Sequence, residues 1–153
     1  MSPAAPRDST AFEVREALEQ AGCAGCALSL RSVGRWLVAV AYDQVNDIQL
    51  RDELRAARGF CNVHAHRWLH EVRSVLGTAI VYQDLLKASL RDLGDNASPR
   101  ASLWRSILGN PTTEVSGCPA CRVQTEAEER YIAALLSLAA SEPELTATSD
   151  GLC

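Results

Sequence analysis

Aromatic residues are scarce in this chain, 5 % of 153. The three tryptophans, Trp36, Trp68 and Trp104, are read as packing residues rather than as a base-stacking platform. Lysine is nearly absent. Lys87 stands alone against fourteen arginines, which reads as a habit of composition and not as a binding code. The net charge of −4 argues against broad nucleic-acid binding, which needs a surface that neutralises phosphates. Arg51, Arg55 and Arg58 share a helix face, but Asp52 and Glu53 interleave with them.

Long apolar runs are also missing. The longest, WLVAVAY from Trp36 to Tyr42, is far too short to span a bilayer. The first ten residues, MSPAAPRDST, carry no apolar core of the kind a secretory signal needs. These absences lead to the expectation of a cytoplasmic protein with no membrane segment. There is no glycine-rich phosphate loop and no GxSxG. His70-Glu71 has the wrong order and spacing for a metalloprotease HExxH. No catalytic set emerges, and the sequence leans away from an enzyme.

Strand alternation is absent as well, so the expected fold class is all-α. Residues 1–10 read as a disordered tail. FEVREALEQAG forms a short helix before Cys23. From Cys26 to about Asn46, Leu30, Val33, Leu37, Val40, Ala41 and Val45 recur at helical steps. Its apolar end predicts burial on several sides. Asn46-Asp47 caps a second helix, IQLRDELRAAR, stopped by Gly59. A helix follows Cys61 with Val63, Trp68, Val72 and Val75 on adjoining faces. Another starts near Thr78 and carries Ile80, Val81, Leu85, Leu86 and Leu90. GDNASPRAS is the linker candidate, followed by a short helix LWRSILGN and a loop NPTTEVSG. The last long helix begins at Cys121. Glu126, Glu128 and Glu129 in its first turns read as a solvated face. The expected division is a tail (1–10), a first helical half (11–93), a linker with a short helix (94–117) and a second half (118–153).

Six cysteines and three histidines are what the chain has to work with. In a cytoplasmic chain, cysteines are metal ligands or redox thiols more often than structural disulfides. Their spacing contains a repeat. CAGCALSLRSVGRWLVAVAYDQVNDIQL aligns without a gap on CPACRVQTEAEERYIAALLSLAASEPEL. Cys23 then meets Cys118, Cys26 meets Cys121, and Arg35-Trp36 meets Arg130-Tyr131. Shortening the second copy by three residues brings RGFC onto DGLC, so Cys61 meets Cys153. The fold expected from this is a helical bundle of two related helical-hairpin halves, with Cys/His metal sites at helix ends.

CxxC places two sulfurs on one ion, and tetrahedral zinc wants two such pairs. Cys61-x-x-His64 is a pair of the right kind. Cys23, Cys26, Cys61 and His64 therefore make an expected Cys3His zinc set, closed by a helical hairpin from Ala27 to Arg58. Thiolates at helix N-termini are favoured by the dipole. The second copy offers Cys118, Cys121 and Cys153. Its fourth ligand would fall three residues past Cys153, and a stop in mid-motif is read as truncation. His66 and His70, four apart on one helix face, are alternative ligands. His66 could replace His64, and His70 could complete the second set. Two other uses of these thiols stand open: a redox or metal-sensing switch, and an iron–sulfur cluster.

CPACR followed by a glutamate-rich helix with Arg-Tyr, an NDP(E)-like turn, and GFCNVH resembles an uncharacterised bacterial family of small helical proteins. Members of that family carry CPxC and GxCxxH motifs, often in two copies. The resemblance covers most of residues 20–153, although CAGCALS lacks the proline and arginine. It implies a helical, metal-binding protein and brings no activity with it. The function expected is zinc binding through a structural site, in a binding or adaptor module with a protein partner of unknown kind. Oligomeric state is not legible.

Overall fold

The computed structural model describes residues 8–97 and 117–147. Residues 1–7 of the tail expected over 1–10, most of the linker, the LWRSILGN helix with Trp104, the NPTTEVSG loop and Cys153 lie outside the described residues. Among those described, the structure is all-α, with seven helices and no strand: α1 (Asp8–Leu18), α2 (Ala24–Tyr42), α3 (Ile48–Ala56), α4 (Asn62–Glu71), α5 (Val75–Ala97), α6 (Pro119–Ser141) and α7 (Pro143–Ala147).

Several helix boundaries sit earlier or run further than the periodicity predicts, for local reasons. α1 begins inside the stretch read as tail, where Ser9 and Thr10 are residue types that start helices. α5 begins at Val75 rather than near Thr78, because the Ser74 hydroxyl accepts the Gly77 N–H at 3.1 Å and caps the first turn. It then continues through Gly94 to Ala97, residues assigned from composition to the linker. α6 starts at Pro119, not Cys121. Proline suits the first helical position, where its missing N–H has no intrahelical partner to lose.

The chain divides into two compact units that cut across the order of the sequence. One takes the residues up to Trp36 and those from Arg122 onward. The other runs from Leu37 to Cys121. α2 and α6 each contribute to both.

The first unit has a core of Val14, Ala17, Leu18, Ala24, Leu28, Ala127, Tyr131, Ala134, Leu135 and Leu138, with Leu145 of α7 packed against it. Tyr131 is fully enclosed, so its hydroxyl needs partners. It donates to the Glu13 carboxylate, and it lies within reach of the Ser32 hydroxyl (3.3 Å) and the Arg35 guanidinium (3.4 Å). The Tyr131 hydrogen bond holds the Glu13 carboxyl below its ordinary value, and Arg35 adds to this against the cost of burial. Arg15 ties α1 to Glu142 at 2.5 Å. Glu128 leaves the solvated face assigned to it: it is half-buried and accepts from Ser29 and Gln124. Glu126 and Glu129 are exposed, as expected.

In the second unit the Asp47 carboxylate caps α3 through the Leu50 N–H at 2.8 Å. Leu50 and Leu54 bury against the unit's interior. Asp84 of α5 receives Arg55 at 2.8 Å and Arg51 at 3.0 Å, which draws α3 onto α5. These arginines, with the Arg55 pair to Asp52, are spent on intramolecular pairing. Trp68 is fully buried, donates its indole N–H to Thr78 at 3.1 Å and stacks on Phe60 at 5.2 Å. The buried face of α4 is narrower than the periodicity predicts. Val72 is buried, but Val63 is 64 % and Val75 86 % exposed. Likewise Val81 and Leu85 of α5 are buried, while Leu86 and Leu90 face out. α2 is also not enclosed all round at its end. Leu37, Val40 and Ala41 are buried, whereas Val38 and Tyr42 are exposed and Val45 lies past the helix.

The end of α2 meets the start of α5 at Gly77. A Cβ on Gly77 would stand 2.2 Å from the Ala41 carbonyl oxygen, so only glycine permits this approach. Gly77→Ala should cost on the order of 1–3 kcal/mol from forced separation of the two backbones. A denaturant midpoint followed by helicity measures this, and an unchanged midpoint would contradict the packing.

Candidate metal centre

Three of the motif cysteines share one structural position. Cys23, Cys61 and Cys118 each stand immediately before the first residue of a helix, α2, α4 and α6 respectively. The second ligand of each motif, Cys26, His64 or Cys121, falls three residues later on the same first turn. Both donors of a motif therefore flank the first-turn backbone N–H groups at the positive end of a helix dipole.

For Cys61 this placement is set by the residues before it. Arg58 (φ 56°) and Gly59 (φ 102°) adopt left-handed conformations in succession, and the Gly59 N–H closes on the Leu54 carbonyl at 2.8 Å. The chain reverses there, and Phe60 stacks on Trp68 while Cys61 enters α4. A Cβ on Gly59 would also meet the Leu85 side chain at 3.3 Å. The glycine of GFC is thus required by both backbone and packing. His64 lies one turn before Trp68 on the buried face and is 2 % exposed.

Within the second unit, Cys61, His64, Cys118 and Cys121 converge, their ligand atoms all within 4.8 Å of one another. The His64 Nδ1 stands 3.2 Å from the Cys61 sulfur, 3.4 Å from that of Cys121 and 3.8 Å from that of Cys118. The Cys61 and Cys121 sulfurs are 3.7 Å apart, much too far for a disulfide, whose S–S length is about 2.05 Å. The group grades from the enclosed His64 to Cys121 at the surface.

The two thiols at its centre are pushed apart in acidity. Burial raises the Cys61 thiol. The backbone N–H of His64, the thiols of Cys121 and Cys118 and the N–H of Val63 outweigh that, and it ends below its ordinary value. Cys121 is pushed up to about 12, by burial first and then by its hydrogen bond to Cys61 and the nearby Cys118 and Cys61 sulfurs. Cys61 thus ionises before Cys121. One thiolate is stabilised by the thiols around it, and a second beside it is opposed.

The sequence pairs Cys61 and His64 with Cys23 and Cys26; the structure gathers them with Cys118 and Cys121. The physical reason is that both CxxC motifs present the same donors at the same place on a helix. Tertiary packing then decides which one arrives. Cys23 and Cys26 belong to the first unit and to no group of three or more such ligands among the described residues. His66 and His70 are exposed and outside the group, and the His66 Nδ1 lies 2.8 Å from the Asn62 carbonyl of its own helix. A signal for the observed pairing was present in the sequence, since CPAC and GFCNVH are the two best-formed motifs.

No family model matches this chain, and no solved structure matches it. It is 38 % identical over 66 residues to a protein described as an uncharacterized 23.9 kDa protein in the xynA 3′ region of Caldicellulosiruptor sp. (strain Rt8B.4). The match takes in 43 % of this chain and 32 % of that protein, so the chain spans about a third of the length of the curated relative it matches. Among the described residues, no helix is long and apolar enough to cross a membrane.

A metal entering this group must displace the Cys121 proton at neutral pH. Apparent zinc affinity should therefore rise by about tenfold or more per pH unit between mildly acidic and mildly alkaline solution. Calorimetry in buffers of different ionisation enthalpy would report at least one proton released per ion. Affinity independent of pH would contradict the thiol assignments.

Proposed function

We propose that the chain binds one zinc ion through Cys61, His64, Cys118 and Cys121, as a closed structural site in a helical binding or adaptor module. The carrying observation is the spacing of the donors. Zinc–sulfur bonds of about 2.3 Å and a zinc–nitrogen bond of about 2.0–2.1 Å, arranged tetrahedrally, put sulfurs about 3.8 Å apart and sulfur and nitrogen about 3.6 Å apart. The Cys61–Cys121 sulfur separation of 3.7 Å is close to the first value, and the 3.2, 3.4 and 3.8 Å from the sulfurs to the imidazole bracket the second. In an iron–sulfur cluster the ligands bind different irons and must stand around a larger body. A set this tight favours a single ion. All four tetrahedral positions are filled by protein, which leaves none for a substrate and supports a structural rather than a catalytic role.

One observation favours a second reading, a thiol switch. Cys121 reaches the surface with the Cys61 sulfur 3.7 Å away. A peroxide could take two electrons from this pair, joining the sulfurs in a disulfide and freeing the ion.

Cys118→Ser and His64→Ala should each lose one equivalent of zinc on elemental analysis, whereas His66→Ala and His70→Ala should retain it. A chelator should lower the melting temperature of the native chain, since free zinc at about 1,000 times its Kd adds about 4 kcal/mol to the folded state. Brown, iron-containing protein would sink the zinc assignment. Zinc loss on mild peroxide with a Cys61–Cys121 disulfide would select the switch.

A further inference from the structure

α5 is apolar on two opposite sides, and one of them faces solvent. We propose that this outer side pairs with α5 of a second copy of the chain as a parallel two-stranded coiled coil, through Leu76, Ala79, Gln83, Leu86, Leu90 and Leu93. The inference goes beyond the metal site and does not depend on it.

The inner side of α5 is buried at Gly77, Val81 and Leu85, where Asp84 also takes Arg51 and Arg55 of α3. The outer side lies two residues, about 200°, further round the helix. Positions 76, 79, 83, 86, 90 and 93 are all exposed there. Four of them are leucines, each 63–72 % exposed. The steps between the six are three, four, three, four and three residues. That is a repeat of 3.5, the a and d positions of a coiled-coil seam, and not the wider face a helix turns to a mixed core. Exposed leucines are ordinary when scattered singly. A row of them along about 26 Å of one helix marks an interaction surface.

A seam of this repeat is filled by a helix of the same repeat, and α5 is itself such a helix. Leu76, Gln83 and Leu90 take the a positions, and Ala79, Leu86 and Leu93 the d positions. The polar member selects the partner and its direction. In a parallel pair of identical helices each a residue meets its own counterpart, so two Gln83 amides face one another and hydrogen-bond. In an antiparallel pair with the same six layers, Gln83 would stand against Leu86 and lose water without gaining that partner. The flanks agree with the parallel pair. Tyr82 at g comes beside Lys87 at e of the second copy, a cation–π neighbour, and the two-fold axis makes this contact twice. Two such faces brought together remove on the order of 1,000 Å² from solvent, about the least a specific interface needs.

The test is analytical ultracentrifugation of the full chain under reducing conditions over a range of concentrations. A species of twice the chain's 16.5 kDa is expected, in equilibrium with the single chain. Leu86→Glu with Leu90→Glu should leave only the single chain while helicity is kept, because both side chains are exposed within one copy. Gln83→Lys alone and Gln83→Glu alone should each weaken association by about tenfold or more, since like charges then meet at a shared a position. Mixing those two variants should restore the pair. A native chain that stays single up to millimolar concentration would overturn the proposal, whether the face is bare or covered from within the chain. A pair that survives Leu86→Glu with Leu90→Glu would place the interface elsewhere and overturn it too. Variants at Gln83 that separate but do not pair on mixing would overturn the parallel alignment.

Discussion

Two helix starts, those of α4 and α6, present their positive ends and three ionisable sulfurs to one another in a space under 5 Å across. Neither electrostatic extreme suits that space. With every thiol protonated, two positive helix ends meet without a counter-charge. With every thiol ionised, three negative sulfurs repel. Burial and the neighbouring sulfurs raise Cys121 to about 12, while hydrogen bonds from the first-turn N–H groups and the other thiols lower Cys61. On the proposed reading, a divalent ion would resolve the conflict. Three thiolates and an imidazole around such an ion carry one net negative charge, which two helix N-termini stabilise.

The rest of the second unit is arranged so that this meeting happens. The left-handed turn at Arg58 and Gly59 aims the chain into α4, and the Phe60–Trp68 stack fixes the first turn. Asp84 draws α3 onto α5, and the glycine contact at Gly77 lets α5 approach α2. The unit's apolar core is modest, with Leu37, Val40, Leu50, Leu54, Trp68, Val72, Val81 and Leu85 as its larger members. Small cores commonly need a metal or a covalent staple, and ligation free energy is then folding free energy. The first unit depends on a different interior, centred on Tyr131 and its hydroxyl partners.

Much of this was legible in the sequence, because it is local. Helical periodicity, the Asp47 cap, the stop at Gly59 and a ligand pair on the turn after Cys61 all follow from residues a few positions apart. Starts set by a Ser74 cap or a proline at the first helical position were missed by a reading that followed apolar spacing. The wide apolar faces expected of α4 and α5 failed at Val63, Val75, Leu86 and Leu90, since periodicity marks apolar positions but not how much protein is there to cover them. Ligand pairing was the least legible. CAGC and CPAC offer the same two sulfurs at the same helix-start position and differ in the proline of the second and the arginine that follows it, while sequence proximity favours the first as partner of Cys61. The folded chain brings up the second, a choice made by contacts between segments about sixty residues apart.

Zinc-edge X-ray absorption on the chain carrying Cys23→Ser and Cys26→Ser, loaded with one equivalent of zinc, tests the central claim most directly, because it reads the donor shell itself. Three sulfurs at about 2.3 Å and one nitrogen at about 2.0–2.1 Å are the expected shell. Two or fewer sulfurs, or a shell of oxygen and nitrogen alone, would contradict it.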